Sequence, residues 1–173
     1  TSGDSLARHG YRKIPGLAPM LEGLASATIY ATLWDRVSPF INPMCGSGTI
    51  AIEAALIATN RRPGLYRTNY AFMHLQGYDE TVYHKEDALL EEQIIDAPGL
   101  RIIATDYDLK AIENSKKNAI AAGVHKLIEF AVCDFAETEV PADAKGIMMV
   151  NPEYGERLGD ITELEETYSR IGD

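Results

Sequence analysis

Short apolar runs alternate with longer stretches of helical periodicity along this 173-residue chain. Four runs are "PFIN" (39–42), "LRIIATD" (100–106), "LIEFAVCD" (127–134) and "GIMMVN" (146–151), and each ends on Asn or Asp. They are short enough for strands, and three of them are nearly continuous in apolar residues, as strands buried on both faces are. The third alternates through Ile128, Phe130 and Val132. Helical patterns lie between them. "LAPMLEGLASATIYATLW" (17–34) places Leu21, Leu24, Ala25 and Thr28 on one stripe, with Pro19 suited to the first turn. "CGSGTIAIEAALIATN" (45–60) is a tight glycine turn running into a helix rich in Ala and Ile. Asp108 is placed to cap a helix whose inner face carries Ile112, Ala119 and Ile120, and Gly123 fits its C-terminal stop. Residues 61–98 form a long insertion with an acidic, helical part over about 83–95, and Glu163 to Arg170 begins a last helix.

Strands alternating with helices predict an α/β domain: a Rossmann-like, doubly wound, mainly parallel sheet with helices on both faces. Such sheets usually have more than four strands, so the pattern predicts a domain truncated after the fourth. The chain opens on Thr1, which predicts a piece of a longer protein. Residues 1–17 are turn-rich and read as a connecting arm, with the domain proper over 18–173.

Charge narrows the choice of partner. The net charge is −10, and the acids are concentrated in two places. Residues 79–96 hold seven acids against Lys85, and residues 153–173 hold seven against Arg157 and Arg170; the remainder is near neutral. Gripping a phosphate backbone takes clustered Lys and Arg. A nucleic-acid substrate would therefore draw most of its affinity from another domain. Two small basic groups remain, Arg8–Arg12–Lys13 and Arg61–Arg62–Arg67, and both read as solvated surface. The two cysteines and four histidines show no metal-ligand spacing, so no metal is expected, and the thiols read as reduced residues of a cytoplasmic protein. No apolar run approaches the roughly 20 residues of a membrane span.

The strand ends carry the chemistry. In a doubly wound sheet, ligands bind beyond the carboxyl ends of the strands. Asn42 and Pro43 lead into the Cys45–Thr49 turn, where Gly46 and Gly48 permit positive φ and close backbone approach. The helix that follows offers free N–H groups. The turn lacks the third glycine of a dinucleotide site and the lysine of a P-loop, which argues against an oxidoreductase or a kinase. Asp106 could accept from both hydroxyls of a ribose, and Asp134 from an adenine amino group. Together they suggest an adenosine-type cofactor with no pyrophosphate requirement. If that cofactor carries an electrophilic methyl group, "NPEY" at 151–154 supplies the acceptor side. The Asn151 side-chain carbonyl and the Pro152 main-chain carbonyl can each accept one hydrogen of a planar exocyclic amine, and Tyr154 can stack on its ring. The same logic serves guanine N2, adenine N6 and the amide of a protein glutamine.

"NPMCGSGTIAIEAAL" and "VNPEYGERLG", with "SGDSLARHGYR" and the Ala18–Pro19 helix start, resemble the RNA guanine-N2 methyltransferases that follow a THUMP domain, over nearly the whole chain. The resemblance implies S-adenosylmethionine as methyl donor and a class I methyltransferase fold. It also implies a structured RNA substrate, often ribosomal, and a preceding THUMP domain. It marks Asn151, Pro152 and Tyr154 as catalytic. It marks Asn42, Pro43, Cys45, Gly46, Gly48, Thr49, Asp106 and Asp134 as cofactor-binding; Cys45, at a family-like position, reads as packing and not as a nucleophile. Two positions depart from the family pattern. Asn42 stands where Asp is usual, and Glu153 replaces the second proline of Asn-Pro-Pro-Tyr. Both departures raise the alternative of a weakened module that binds cofactor or RNA without turnover.

Overall fold

A computed structural model describes residues 5–15, 19–142, 145–152 and 161–172. Strands β1 (Phe40–Asn42), β2 (Ile102–Asp106), β3 (Ile128–Val132) and β4 (Ile147–Met148) form one sheet in the order β3-β2-β1-β4. Every pairing is parallel: Phe40 lies opposite Ile102 on one side and Ile147 on the other, and Ala104 lies opposite Phe130. The chain steps outward from β1 to β2 to β3, then returns to the other side of β1 for β4. The reversal puts the topological switch point at the carboxyl end of β1.

All residues of β1 and β2 are buried, so the centre of the sheet is covered on both faces as expected. The outer strands differ. In β3, Ile128 is buried, Phe130 is half-buried and Val132 is exposed, so the expected alternation loses its inner face toward the strand's end. Ladder pairing extends β4 slightly, with the Met149 N–H donating to the Ile41 carbonyl at 2.8 Å.

Helix α2 (Thr49–Ala58) is buried along all ten residues. It packs against β1 and β2 and is itself covered by α1 (Glu22–Ala31). This enclosure explains why "TIAIEAALIA" shows no polar face: a helix buried all round needs none. α1 departs from the expected stripe. Its buried residues are Glu22, Ala25 and Ile29, whereas Leu21 and Leu24 are exposed. Leucine content suggested the wrong face, because α1 turns a carboxylate inward to meet Arg12. Pro19 precedes the helix and is not in its first turn. On α4 (Leu109–Ala121), Ile112 and Ala119 are buried as predicted, but Ile120 is exposed. Asp108 caps α4, accepting from the Lys110 N–H at 2.8 Å, and Gly123 ends it with φ +67°. The insertion carries α3 (Glu80–Glu92), which starts three residues earlier than predicted because Asp79 caps it at the Thr81 and Val82 N–H groups. None of its residues is buried. An aromatic cluster of Tyr70, Phe72, Tyr78 and Tyr83 and a close Arg62–Asp87 ion pair hold it. α5 (Ile161–Gly172) covers the helix expected from Glu163.

The arm is turn-rich, as predicted, yet its described part is built into the core. Tyr11 is 1% exposed and His9 is buried. Both meet Glu53, which sits inside the otherwise apolar α2. Glu53 Oε1 lies 2.8 Å from His9 Nδ1 and accepts from the Tyr11 hydroxyl at 2.8 Å, and Oε2 accepts from the Ser26 hydroxyl at 2.5 Å. Burial, followed by the neighbouring Glu53, holds the Tyr11 hydroxyl protonated well above its ordinary range. A buried carboxylate is tolerated only when satisfied in this way. Glu53→Ala strands its three partners, and urea unfolding should show a loss of about 3–5 kcal/mol. Glu53→Gln, which keeps the volume and a hydrogen-bonding head, should lose less than half as much; equal losses would mean that the second carboxylate oxygen and its charge, not volume, set the cost.

Candidate active site

Three neighbouring strand ends build one rim. β1 ends on Asn42, which is fully buried. Its Nδ2 donates to the Met149 carbonyl at 2.8 Å and so ties β1 to β4 beyond the last ladder bond. An aspartate here would face a carbonyl with no proton to give, which supplies a structural reason for Asn at this position. Its Oδ1 is buried without a partner. That leaves a buried acceptor at the rim, suited to an ammonium or amine donor.

The turn after Asn42 is held from outside. Gly46 has φ +55° and Gly48 φ +82°. The Gly46 N–H donates to Asp106 Oδ2 at 2.9 Å, and the Cys45 N–H donates to the Thr105 carbonyl at 2.9 Å, so β2 fixes the turn at two points. From the other side, the Ser115 hydroxyl of α4 donates to the Gly46 carbonyl at 2.6 Å. A Cβ on Gly48 would lie 3.0 Å from the Ser115 side chain, so glycine is needed there for contact as well as for φ. Around Gly46 the opposite holds: a Cβ would meet nothing within 4 Å, so that side of the turn is open. The peptide between Gly46 and Ser47 is trans. With its carbonyl drawn toward α4, the Ser47 N–H points away from α4.

The residues predicted for cofactor contact fall into two groups. Asn42, Pro43, Cys45, Gly46, Gly48, Thr49 and Asp106 come together at the switch point. Asp106 carries a second load: Oδ1 accepts from the Asp108 N–H at 3.0 Å, so each oxygen already holds one backbone N–H and keeps further acceptor capacity. Asp134 stands at the end of β3, one strand beyond Asp106. Its Oδ1 accepts from the Ala136 N–H at 2.9 Å and from Arg170 at 2.7 Å, and these two donors, the backbone one first, hold its carboxyl below the usual range. On the acceptor side, Asn151 and Pro152 follow β4 and are half-buried beside the end of β1. Glu153 and Tyr154 lie outside the described residues. Across the rim, β2 and β4 flank β1, so their ends stand about two strand spacings apart, ~10 Å.

Three contributors escaped the sequence reading. Arg12, expected to be solvated, turns inward: it donates to the Thr49 hydroxyl at 2.9 Å and to the Met20 carbonyl, with its Nε 3.6 Å from Glu22. Ser115 and Asn118 reach the glycine turn from α4. The available signal was a Ser and an Asn placed on the same face of the helix as Ile112 and Ala119, where apolar residues belong.

Cys45 is buried, and burial pushes its thiol up to about 12, with the contact to Ser115 opposing the rise and Asp106 adding to it. At pH 8 the thiol stays protonated, whereas the thiolate is the reactive form. Iodoacetamide at pH 8 should therefore label half-exposed Cys133 in the native protein and reach Cys45 only after unfolding, by peptide mass analysis. Rapid native labelling of Cys45 would contradict a packing role.

Comparison with known proteins agrees with this architecture. The family profile UPF0020, RMKL-like methyltransferase domain, matches residues 9–173. Proteins named ribosomal RNA large subunit methyltransferase K/L from Shewanella sp. (strain ANA-3) and Shewanella oneidensis are each 38% identical to this chain across 99% of it. The chain spans about a quarter of the length of these relatives, 24% and 25%. Among solved structures, SMU.472 in complex with SAH superposes with a TM-score of 0.90 at 32% identity, covering 99% of this chain and 44% of that one. A predicted N6-adenine-specific DNA methylase from Listeria monocytogenes gives a TM-score of 0.89 at 38% identity, over 99% of this chain and 45% of its own. With a profile match over nearly its whole length and a parallel α/β sheet of the same form, the chain belongs to the RMKL-like methyltransferase domain family.

Proposed function

We propose that this chain is the catalytic part of an S-adenosylmethionine-dependent methyltransferase acting on ribosomal RNA, at an exocyclic base amine and specifically guanine N2. The observation that carries the reading is the convergence of Asp106, the glycine turn and Asn151 on three adjacent strand ends around β1. The names of the Shewanella relatives support ribosomal RNA as substrate. The SAH in the SMU.472 structure supports the cofactor.

The residues present fit that cofactor. Asn42 Oδ1 is an unpartnered buried acceptor, the space at Gly46 is open, and Asp106 retains acceptor capacity for ribose hydroxyls. Asp134, next along the rim, would take the adenine amino group. When bound, the cofactor supplies an electrophilic methyl group on a sulfonium. Asn151 and Pro152 hold the acceptor: their two carbonyls each take one amine hydrogen and orient the nitrogen lone pair. Positioning of this kind supplies roughly 7–11 kcal/mol of barrier lowering. The proton departs after the nitrogen becomes cationic, so no strong base is needed beforehand. Tyr154 would stack on the base, worth roughly 1–3 kcal/mol.

A THUMP domain preceding the chain would supply the RNA affinity that this acidic surface lacks. The much greater length of the relatives leaves room for one, and for more sheet after β4. Among the described residues, no helix is long and apolar enough to cross a membrane. We place the protein in the cytoplasm, with ribosomal RNA. A second reading, adenine N6, is favoured by the name of the Listeria structure.

The direct test incubates full-length protein with methyl-labelled donor and unmodified ribosomal RNA, followed by nucleoside mass analysis. Label in N2-methylguanosine is expected; label in N6-methyladenosine selects the second reading, and no transfer supports a module that binds without turnover. Asp106→Ala should weaken donor binding tenfold or more, ~1.4 kcal/mol, by calorimetry. Asn151→Ala should leave that affinity within about twofold and slow transfer by roughly 10²-fold or more. Equal loss of affinity in both would refute this division of roles.

A further inference from the structure

The glycine turn is gripped by a residue that the proposed chemistry does not use. Asn118 is fully buried in α4, and its amide makes four hydrogen bonds. Oδ1 accepts from the N–H groups of Lys13 at 3.0 Å and Ile14 at 3.1 Å. Nδ2 donates to the carbonyls of Ile14 at 2.9 Å and Ser47 at 3.0 Å. Both donors and both acceptor positions are used. One side chain thus joins a stretch near the start of the chain to the centre of the turn. Arg12 makes a second, independent bridge from the same stretch to Thr49, the first residue of α2. Three of the Asn118 bonds go to residues 13–14, at a buried position where an apolar residue would serve for packing alone.

Ser47 is the residue whose N–H is directed away from α4. Its carbonyl is held by Asn118, and the carbonyl before it by Ser115. Fixing both carbonyls fixes the peptide planes on either side of Ser47, and with them the direction of its N–H. Freeing the Ser47 carbonyl would release the second of those planes and leave Ser115 alone to hold the first, so the turn around the shared Ser47 Cα would loosen.

We propose that Asn118 is a positioning residue that couples residues 13–14 to the glycine turn, so that displacement of that segment changes affinity for the methyl donor. This rests on the proposed function for the identity of the ligand, but the mechanical coupling does not. By linkage, the effect is reciprocal: donor binding must steady residues 13–14, although they are not among the proposed cofactor contacts.

Asn118→Asp is the discriminating variant. A carboxylate still accepts from Lys13 and Ile14 but has no proton for the Ser47 and Ile14 carbonyls. Trp34→Phe is the control, because it removes a buried side chain that donates to Ser38, away from the turn. Hydrogen exchange without ligand is measured first. Peptides covering 45–49 should exchange at least tenfold faster in Asn118→Asp and be unchanged in Trp34→Phe. Calorimetry with S-adenosylhomocysteine should then show at least tenfold weaker binding for Asn118→Asp only. If Asn118→Asp does not fold, wild-type protein decides: saturating S-adenosylhomocysteine should slow exchange at 13–14. Unchanged turn exchange in a folded variant, equal effects in the control, or no slowing at 13–14 despite binding would overturn the inference. If wild-type protein binds no S-adenosylhomocysteine, the functional reading fails, while the ligand-free exchange still decides the coupling.

Discussion

A turn that presents its backbone to a ligand cannot satisfy that backbone within itself, and the rest of the site follows from this constraint. Between Asn42 and Thr49 the chain leaves a buried strand, passes through two left-handed glycines and enters a buried helix. The Gly48 N–H meets the Cys45 carbonyl within the turn, but the Gly46 and Ser47 carbonyls and the Cys45 and Gly46 N–H groups need partners elsewhere. Asp106 and Thr105 supply them from β2, and Ser115 and Asn118 from α4. The switch in strand order then brings the end of β4 alongside, tied by the Asn42 amide. Asp106 and the glycine turn, the proposed cofactor side, stand next to Asn151, the proposed acceptor side, because β1 has β2 on one side and β4 on the other.

This arrangement gives each polar residue at the rim two loads. Asp106 braces Gly46 and the entry to α4 while keeping acceptor capacity for a ligand. Asn42 closes the β1–β4 seam with its donor and leaves its acceptor buried and unpartnered. The exchange of Asp for Asn at this position therefore has a stabilising consequence, whatever its effect on cofactor charge. Glu53 does comparable work on the far side of α2, where it lets residues 9–11 and Ser26 share one buried carboxylate.

Much of this was legible in the sequence, for identifiable reasons. Three strands announced themselves as nearly continuous apolar runs and β3 by its alternation, and their terminal Asn and Asp residues marked the carboxyl end of the sheet. Asp108 and Gly123 bounded α4 correctly because capping is a local interaction. What stayed hidden was long-range. Nothing local tells that α1 faces inward through Glu22 and not Leu21, since that depends on Arg12, ten residues before it. Nor does periodicity distinguish Asn118 as a clamp from an ordinary helical asparagine; its partners lie more than 70 residues away in sequence. The turns of residues 1–17 look like those of a connector and hide Tyr11, a core residue supplied by an irregular segment.

The claim on which all of this depends is that the carboxyl end of β1 is where cofactor and acceptor meet. Titrating isotope-labelled protein with S-adenosylhomocysteine and following backbone amide NMR shifts tests it most directly. The account predicts one saturable transition that moves Gly46, Ser47, Asp106 and Asn151 together. Shifts confined to the opposite end of the sheet, at the groove lined by Ser38, Gly99 and Arg101, would contradict it.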